Sequence, residues 1–486
     1  MINPLILTDG YKVDHRRQYP TGTSVVYSNW TPRGSRIEGI DEVVFFGLQY
    51  FLKKYIIQEF KDNFFDQPKA EVLKQYQRRI NNYLGVNAVG INHIAALHDL
   101  GYIPMVFKAL PEGVSVPIKV PMFTMYNTKP EFFWLTNYFE TIISTTVWMP
   151  CNSATIAKEY RKILDKYATE TSSIPEFVDW QGHDFSMRGM AGLEAAVMSA
   201  SGHLLSFTGT DTIPAIDFLE QYYNADSDAE LVGGSVAATE HSVMSMGTDS
   251  GEQETFKRLI SDVYPNGIVS IVSDTWDLWK VLTEYLPNLK EEVLARDGKV
   301  VIRPDSGDPV KIICGDSNNK NAHARKGVIE LLWDLFGGIT NSKGFKELDS
   351  HIGAIYGDSI TLTRAREICE GLKKKGFAST NVVLGVGSFT YQYNTRDTFG
   401  FAMKATYGEV NGEGREIYKD PITDDGTKKS AKGLIKILKE GNTYKMINQV
   451  SWEEESQGEL EIVFKDGKLI KNLKLNEIRN NIKQSR

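Results

Sequence analysis

Val300-Val301-Ile302-Arg303-Pro304-Asp305-Ser306-Gly307 passes from a continuous apolar run to a cation, a carboxylate and a turn. An apolar run of this length without alternation reads as a strand buried on both faces, as parallel strands are. Six other runs end in the same way: Phe177-Val178-Asp179-Trp180, Leu204-Leu205-Ser206-Phe207, Ser235-Val236-Ala237-Ala238, Ile268-Val269-Ser270-Ile271-Val272, Ile352-Gly353-Ala354-Ile355-Tyr356 and Val382-Val383-Leu384-Gly385-Val386. Helix-like segments lie between them, among them Met190 to Ser201, Thr275 to Tyr285, Arg325 to Phe336 and Thr361 to Lys375. Strand and helix in alternation make βα units, and about seven of them predict an α/β fold approaching a (β/α) barrel. Barrel sites lie where strands end. The polar stretches fall there: Gly182-His183-Asp184-Phe185, Gly209-Thr210-Asp211-Thr212, Glu240-His241-Ser242, Ser273-Asp274, Arg303 to Gly307, Gly357-Asp358-Ser359 and Gly385-Val386-Gly387-Ser388.

Around this centre the pattern changes. Residues 102 to 127 alternate and carry Pro104, Pro111, Pro117 and Pro121, as edge strands and turns do. Glu131 to Ala168 reads as helix broken near Pro150-Cys151-Asn152-Ser153. Beyond Phe401 come short strands with the hairpin signals Asn411-Gly412 and Asp466-Gly467. The division expected is a barrel-like domain over 151–394 and a second, β-rich domain built from 1–150 and 395–486. Lys474 to Arg486 reads as a frayed tail.

At 486 residues, with 41% hydrophobic and 24% charged residues, the chain has ample material for two to three domains. A net charge of -7 gives no bulk electrostatic case for nucleic acid. Cys151, Cys314 and Cys369 are odd in number and scattered, which fits a reducing compartment and neither a disulfide framework nor a zinc site. Met1 to Asp9 lacks the basic and apolar regions of a signal peptide, and no apolar run is long enough to span a membrane. A soluble cytoplasmic protein is expected.

Ala238-Thr239-Glu240-His241-Ser242 sets a histidine beside a carboxylate where a small-residue strand gives way to helix. Its imidazole can exchange a proton or be phosphorylated on nitrogen. Arg303 can grip a phosphate through two N–H groups, and Asp305 can accept from sugar hydroxyls or help hold Mg²⁺; the alternative is a surface turn with an Arg–Asp pair. Asp211 could accept from an amide or cap a helix beginning near Thr212, and Ser359 reads first as a helix N-cap. Phe185 and Tyr11 could stack on a flat ring or pack in a core. Gly385-Val386-Gly387-Ser388 lacks the spacing of a dinucleotide fingerprint, and the long phosphate loop of nucleoside triphosphatases is absent.

Taken together, Leu7 to Lys12, His183-Asp184-Phe185 with Arg188-Gly189, Gly209 to Thr212, Glu240-His241-Ser242, Val272-Ser273-Asp274, Ile302 to Gly307, Gly357-Asp358, Thr395-Arg396-Asp397 and Tyr418 to Pro421 resemble the nicotinamide phosphoribosyltransferase family, nearly end to end. That resemblance implies an irregular barrel-like type II phosphoribosyltransferase fold, and transfer of a phosphoribosyl group from phosphoribosyl pyrophosphate to nicotinamide in NAD salvage. It implies that Phe185 and a partner subunit's Tyr11 sandwich the ring in a homodimer, and that Asp211 accepts from the carboxamide. Arg188 and Arg303 would bind donor phosphates, and Asp305 ribose hydroxyls. Gly357, Asp358, Ser388 and Arg396 would surround the 5′-phosphate and ribose, with Ser270 completing the substrate set. His241 would carry a phosphate from ATP, oriented by Asp274 or Glu240, so that His241, Asp274 and Asp305 form the catalytic group. Mg²⁺ is expected through substrate phosphates, and Arg33, Lys404 and Lys419 are candidates for the ATP phosphates. One departure stands out: Gly387-Ser388-Phe389-Thr390 occupies the place of a glycine run, leaving less room for phosphate.

The rival within the same chemistry is a nicotinate phosphoribosyltransferase, against which Asp211 argues because a carboxylate repels nicotinate. A non-catalytic barrel that binds phosphorylated ligands is the rival from another class. An aldolase- or isomerase-like barrel would need a lysine or carboxylate base at a strand end, and neither stands in a convincing place.

Overall fold

A computed structural model describes residues 3–357, 359–418 and 431–485. The chain divides into two compact units, Met1–Thr155 with Phe218–Ala225 and Asn394–Arg486, and Ile156–Asp217 with Asp226–Tyr393.

The second unit holds a seven-stranded parallel sheet. In chain order its strands are β1 (Gly182–Asp184), β2 (Gly209–Thr210), β3 (Ala237–Ala238), β4 (Asn266–Val272), β5 (Asp297–Arg303), β6 (Ile352–Tyr356) and β7 (Val382–Val386). The order β2-β1-β7-β6-β5-β4-β3 makes sequence neighbours spatial neighbours, with β7 against β1. A parallel bridge between Gly209 of β2 and Gly234, just before β3, brings the two edges together, through Thr210 N–H to Gly234 O at 3.0 Å and Gly234 N–H to Thr208 O at 2.8 Å. The sheet therefore curls into a barrel, as expected. Helices such as Leu193–His203, Val328–Phe336 and Leu362–Lys374 connect the strands and bury apolar faces.

Two strands sit elsewhere than the apolar runs suggested. Phe177 to Trp180 lies in helical turns (Pro175–Phe177 and Val178–Gln181), and the strand is the Gly-His-Asp that follows. Leu204 to Phe207 ends a helix, and the strand is Gly209–Thr210. Both strands are only two or three residues long, and polar side chains hold them. Asp184, fully buried, accepts from Ser186 Oγ (2.6 Å), Thr210 Oγ1 (2.8 Å) and Thr212 Oγ1 (2.7 Å), tying the exits of β1 and β2. His203 is wedged beneath, with Nδ1 2.6 Å from the Tyr391 hydroxyl, and burial pushes its pKa down to about 4.

The first unit contains an antiparallel sheet that interleaves segments from both ends of the chain, in the order 413–416, 402–410, 23–31, 123–127, 105–109, 461–465, 468–469. Trp30 stacks between Phe123 (6.1 Å) and Phe401 (5.5 Å) at its core. Strands 105–109 and 123–127 are interior, not edges; Pro104, Pro111 and Pro121 stand outside them, so no ladder N–H is lost. The helix Glu140–Thr171 runs unbroken through Pro150, whose ring packs on Gly47 (φ +107°). Both expected hairpins form, with positive φ at Asn411, Gly412, Asp466 and Gly467. The supposed frayed tail is a helix, Leu475–Gln484, anchored by buried Leu475, Ile478 and Ile482 at helical spacing.

Candidate active site

The exits of the barrel strands meet at one mouth. Arg303 ends β5, and its guanidinium donates to the Thr239 carbonyl beyond β3. Burial lowers its pKa, nearby Asp305, Asp211 and Asp274 oppose that shift, and Arg188 adds to it. Arg303 Nε is buried without a partner, a donor directed into the site.

His241 begins the short helix after β3, with its side chain 47% exposed. Its Nε2 lies 3.2 Å from Asp305 Oδ1 and 3.9 Å from Asp274 Oδ1, while Nδ1 lies 3.2 Å from Thr275 Oγ1. Two carboxylates on the Nε2 side favour a proton there, leaving Nδ1 to accept from the threonine. Asp305 is thus the hydrogen-bonding partner. Asp274 acts on the loop behind it: its Oδ2 accepts from the backbone N–H groups of Asp305 (2.9 Å) and Ser306 (2.8 Å) and from Ser306 Oγ (2.5 Å). Glu240 turns away and accepts from Ser242.

Asp274 Oδ1 has no hydrogen-bond partner although its side chain is only 6% exposed. Donor atoms of His241, Asp274 and Asp305 all lie within 4.8 Å of one another. Two carboxylates, one with an unsatisfied oxygen, suit a small hard divalent cation.

Beside this cluster opens a cavity of about 750 Å³ lined by Phe185, Asp211, Ser235, Ser270, Arg303 and His183, among others. Asp211 does not cap a helix; the helix after it begins at Pro214. Its Oδ1 accepts from Ser235 Oγ (2.8 Å) and meets His183 Nε2 at 2.9 Å. Burial would raise this carboxyl, but those bonds and the Arg303 charge outweigh it and hold the pKa below the usual range, so Asp211 is ionised at neutral pH. The His183 ring in turn braces Phe185, centroids 4.4 Å apart. Ser270 Oγ is buried and unpartnered in the same wall.

Glycines admit these side chains. A Cβ on Gly385 would lie 2.8 Å from the Phe185 ring, and one on Gly357 would lie 3.0 Å from Asp305 Cβ. Ser388 costs less room than its side chain suggests, because its Oγ tucks against Gly189, where a Cβ would meet it at 1.9 Å. Ser359 has φ +61° and caps nothing; Thr361 caps the helix that follows. Tyr11, Arg33, Arg396 and Lys404 belong to the other unit. Tyr11 is 63% exposed, Arg33 Nε donates to the Gly400 carbonyl (3.0 Å), and Arg396 pairs with Asp397 (3.1 Å). Asp358 and Lys419 lie outside the described residues. His183, Ser235 and Thr275 were not expected as site residues. Only the position of His183 at a strand end, two residues from Phe185 and so on the same face, could have signalled one of them.

Two protein-family models match the chain: the nicotinate phosphoribosyltransferase (NAPRTase) family over residues 180–468, and the N-terminal domain of nicotinamide phosphoribosyltransferase over 3–99. A nicotinamide phosphoribosyltransferase of Acinetobacter baylyi is 53% identical over 99% of this chain and 97% of its own. The chain belongs to the nicotinamide phosphoribosyltransferase family. Other relatives of that name come from Mycoplasma pneumoniae (37% identical, 88% of this chain and 94% of the relative) and Xanthomonas campestris (31%, 98% and 97%). Among solved structures, human nicotinic acid phosphoribosyltransferase superposes with a TM-score of 0.56 at 15% identity, covering 99% of this chain and 93% of that one. A nicotinate-nucleotide pyrophosphorylase of Pyrococcus furiosus gives 0.58 at 13%, covering 98% and 95%. At such identities the likeness is of fold, and it assigns the type II phosphoribosyltransferase architecture to this member of the nicotinamide phosphoribosyltransferase family.

Proposed function

We propose that this chain transfers the phosphoribosyl group of phosphoribosyl pyrophosphate to nicotinamide, and that ATP drives the reaction through a phosphate carried on His241. The observation that carries the reading is one cavity lined by an aromatic ring, an ionised carboxylate and a buried arginine, Phe185, Asp211 and Arg303. The bond between the ribose anomeric carbon and pyrophosphate breaks, its electron pair leaving with pyrophosphate. The nicotinamide ring nitrogen supplies the pair for the new C–N bond. Phe185 holds the ring flat, Asp211 accepts from the carboxamide N–H₂, and Arg303 with Arg188 takes the charge of the leaving group. Asp211 is already ionised, so nicotinate would bring a second carboxylate against it and is disfavoured.

His241 is placed to receive the γ-phosphoryl group of ATP, with Asp305 and Thr275 fixing its ring. Asp274 and Asp305 would hold Mg²⁺, which supplies positive charge to phosphate oxygens. Arg33 and Lys404, with Lys419, remain the candidates for binding the ATP phosphates. No helix among the described residues is long and apolar enough to cross a membrane, which accords with cytoplasmic NAD salvage.

The test is mononucleotide formation from phosphoribosyl pyrophosphate and Mg²⁺, with nicotinamide or nicotinate as acceptor, each with and without ATP. Nicotinamide should be strongly preferred and ATP should raise its turnover. Preference for nicotinate would keep the chemistry and overturn Asp211 as selector; no product with either base would leave a phospho-ligand-binding barrel.

The exposure of Tyr11 supports a homodimer in which Tyr11 of a second copy closes on the base beside Phe185. Inactive Tyr11→Ala and Arg303→Ala subunits, mixed, should then recover roughly a quarter to a half of wild-type activity in hybrid dimers, since one of the two sites is intact. Hybrids that stay inactive would overturn a shared site.

A further inference from the structure

β5 presents Lys299, Val301 and Arg303 to the same cavity, as alternate residues of a strand must. Arg303 stands at the mouth. Lys299 lies four residues upstream, about 13 Å deeper at the usual rise per residue. The stripe therefore puts one cation at each end of the cavity, and the site at the mouth uses only the first.

Lys299 is largely buried, and among the described residues its ammonium makes no hydrogen bond and no ion pair. Burial lowers its pKa, and the charge of Asp349 opposes that shift. The acids at that end are engaged elsewhere. Asp349 Oδ1 accepts from the His351 backbone N–H (2.9 Å) and meets its ring Nδ1 (2.6 Å). Glu347 accepts from the Ser173 backbone N–H (2.6 Å), Ser173 Oγ (2.6 Å), Ser172 Oγ (3.3 Å) and Asn341 Nδ2 (2.8 Å). Space for the lysine is built in by Gly353 on β6, where a Cβ would lie 3.2 Å from Lys299 Cδ. The surrounding wall is apolar, with Ile268, Val301, Ile339 and Ile355. At about 750 Å³ the cavity lies in the range that accepts drug-sized molecules, roughly 300–1,000 Å³, and exceeds what a single pyridine ring fills.

An unpaired ammonium in an apolar wall is costly, and an entering anion relieves that cost while the wall buries the anion's apolar body. We propose that the deep end of the barrel cavity is a second ligand site, taking a small aromatic carboxylate whose oxygens pair with Lys299. It is independent of the transfer chemistry at the mouth.

Benzoate is the probe, because it lacks a ring nitrogen and cannot accept a ribosyl group. Titrated calorimetrically into the full-length protein, benzoate should bind with one site per chain, both alone and with saturating nicotinamide. Benzyl alcohol, its neutral counterpart, should bind at least tenfold more weakly, a comparison that needs no variant. Lys299→Met should weaken benzoate at least tenfold and Lys299→Arg by less than about threefold, with the KM for nicotinamide unchanged in both. Absence of benzoate binding, equal binding of the neutral probe, full competition by nicotinamide, or insensitivity to Lys299→Met would each overturn the proposal. Failure of the transferase reading would instead appear as missing product with benzoate binding intact.

Discussion

His241→Ala is expected to reduce ATP hydrolysis by a factor on the order of 10³ or more, the scale on which loss of a nucleophile acts. Phosphoribosyl transfer measured without ATP should persist within about tenfold. The two activities separate because His241 stands beside the mouth with Asp305 and Thr275, whereas Phe185, Asp211 and Ser270 line the cavity. Alanine removes the only nitrogen offered to the phosphoryl group there and leaves the base-binding wall intact. Asp305→Asn should show a milder form of the same effect, since an amide can still meet Nε2 but does not stabilise charge on the ring. The decisive comparison is ATPase rate against ATP-independent turnover in one preparation, with trapping of acid-labile, base-stable phosphate on the wild-type chain. An ATPase that survives His241→Ala would move the phosphate to another residue.

Asp211→Ser should erase the preference for nicotinamide. A hydrogen bond to a charged acceptor contributes about 1.5–3 kcal/mol, so kcat/KM for nicotinamide should fall roughly 10- to 100-fold. Nicotinate should improve at the same time, because the repelling carboxylate is gone. His183 and Ser235 sharpen the expectation: both direct hydrogen bonds at Asp211 Oδ1 and help keep the group ionised, leaving Oδ2 for the substrate. Ser235→Ala should therefore erode selectivity in the same direction by a smaller factor. Nicotinamide preference unchanged in Asp211→Ser would exclude this carboxylate as the selector.

The legible part of the site consists of residues whose role follows from a strand end. Arg303, Asp305, His241 and Asp274 each follow an apolar run directly, and strand ends are where a barrel exposes side chains. Pairings were not legible. Asp305 reaches His241 across 64 residues of sequence, and His183 reaches Asp211 across 28. Glu240, adjacent to His241 in the chain, is the obvious neighbour by sequence, yet its carboxylate serves Ser242. Adjacent residues at a strand-to-helix junction point in different directions, so proximity in sequence is a poor guide to which carboxylate meets a ring.

The chain by itself determined what depends on local geometry. Apolar runs without alternation specify strands buried on both faces, as in β4 to β7, and Asn411-Gly412 and Asp466-Gly467 specify hairpins because those residues tolerate positive φ. Only the tertiary structure decided where β1 and β2 lie, since strands of three and two residues carry no periodicity and are held by Asp184 and His203. It likewise turned the polar-looking end of the chain into a helix, because burial of Leu475, Ile478 and Ile482 outweighs the composition around them. And it placed Lys299 deep in a cavity opened by Gly353, a partnership of two neighbouring strands that neither strand announces alone.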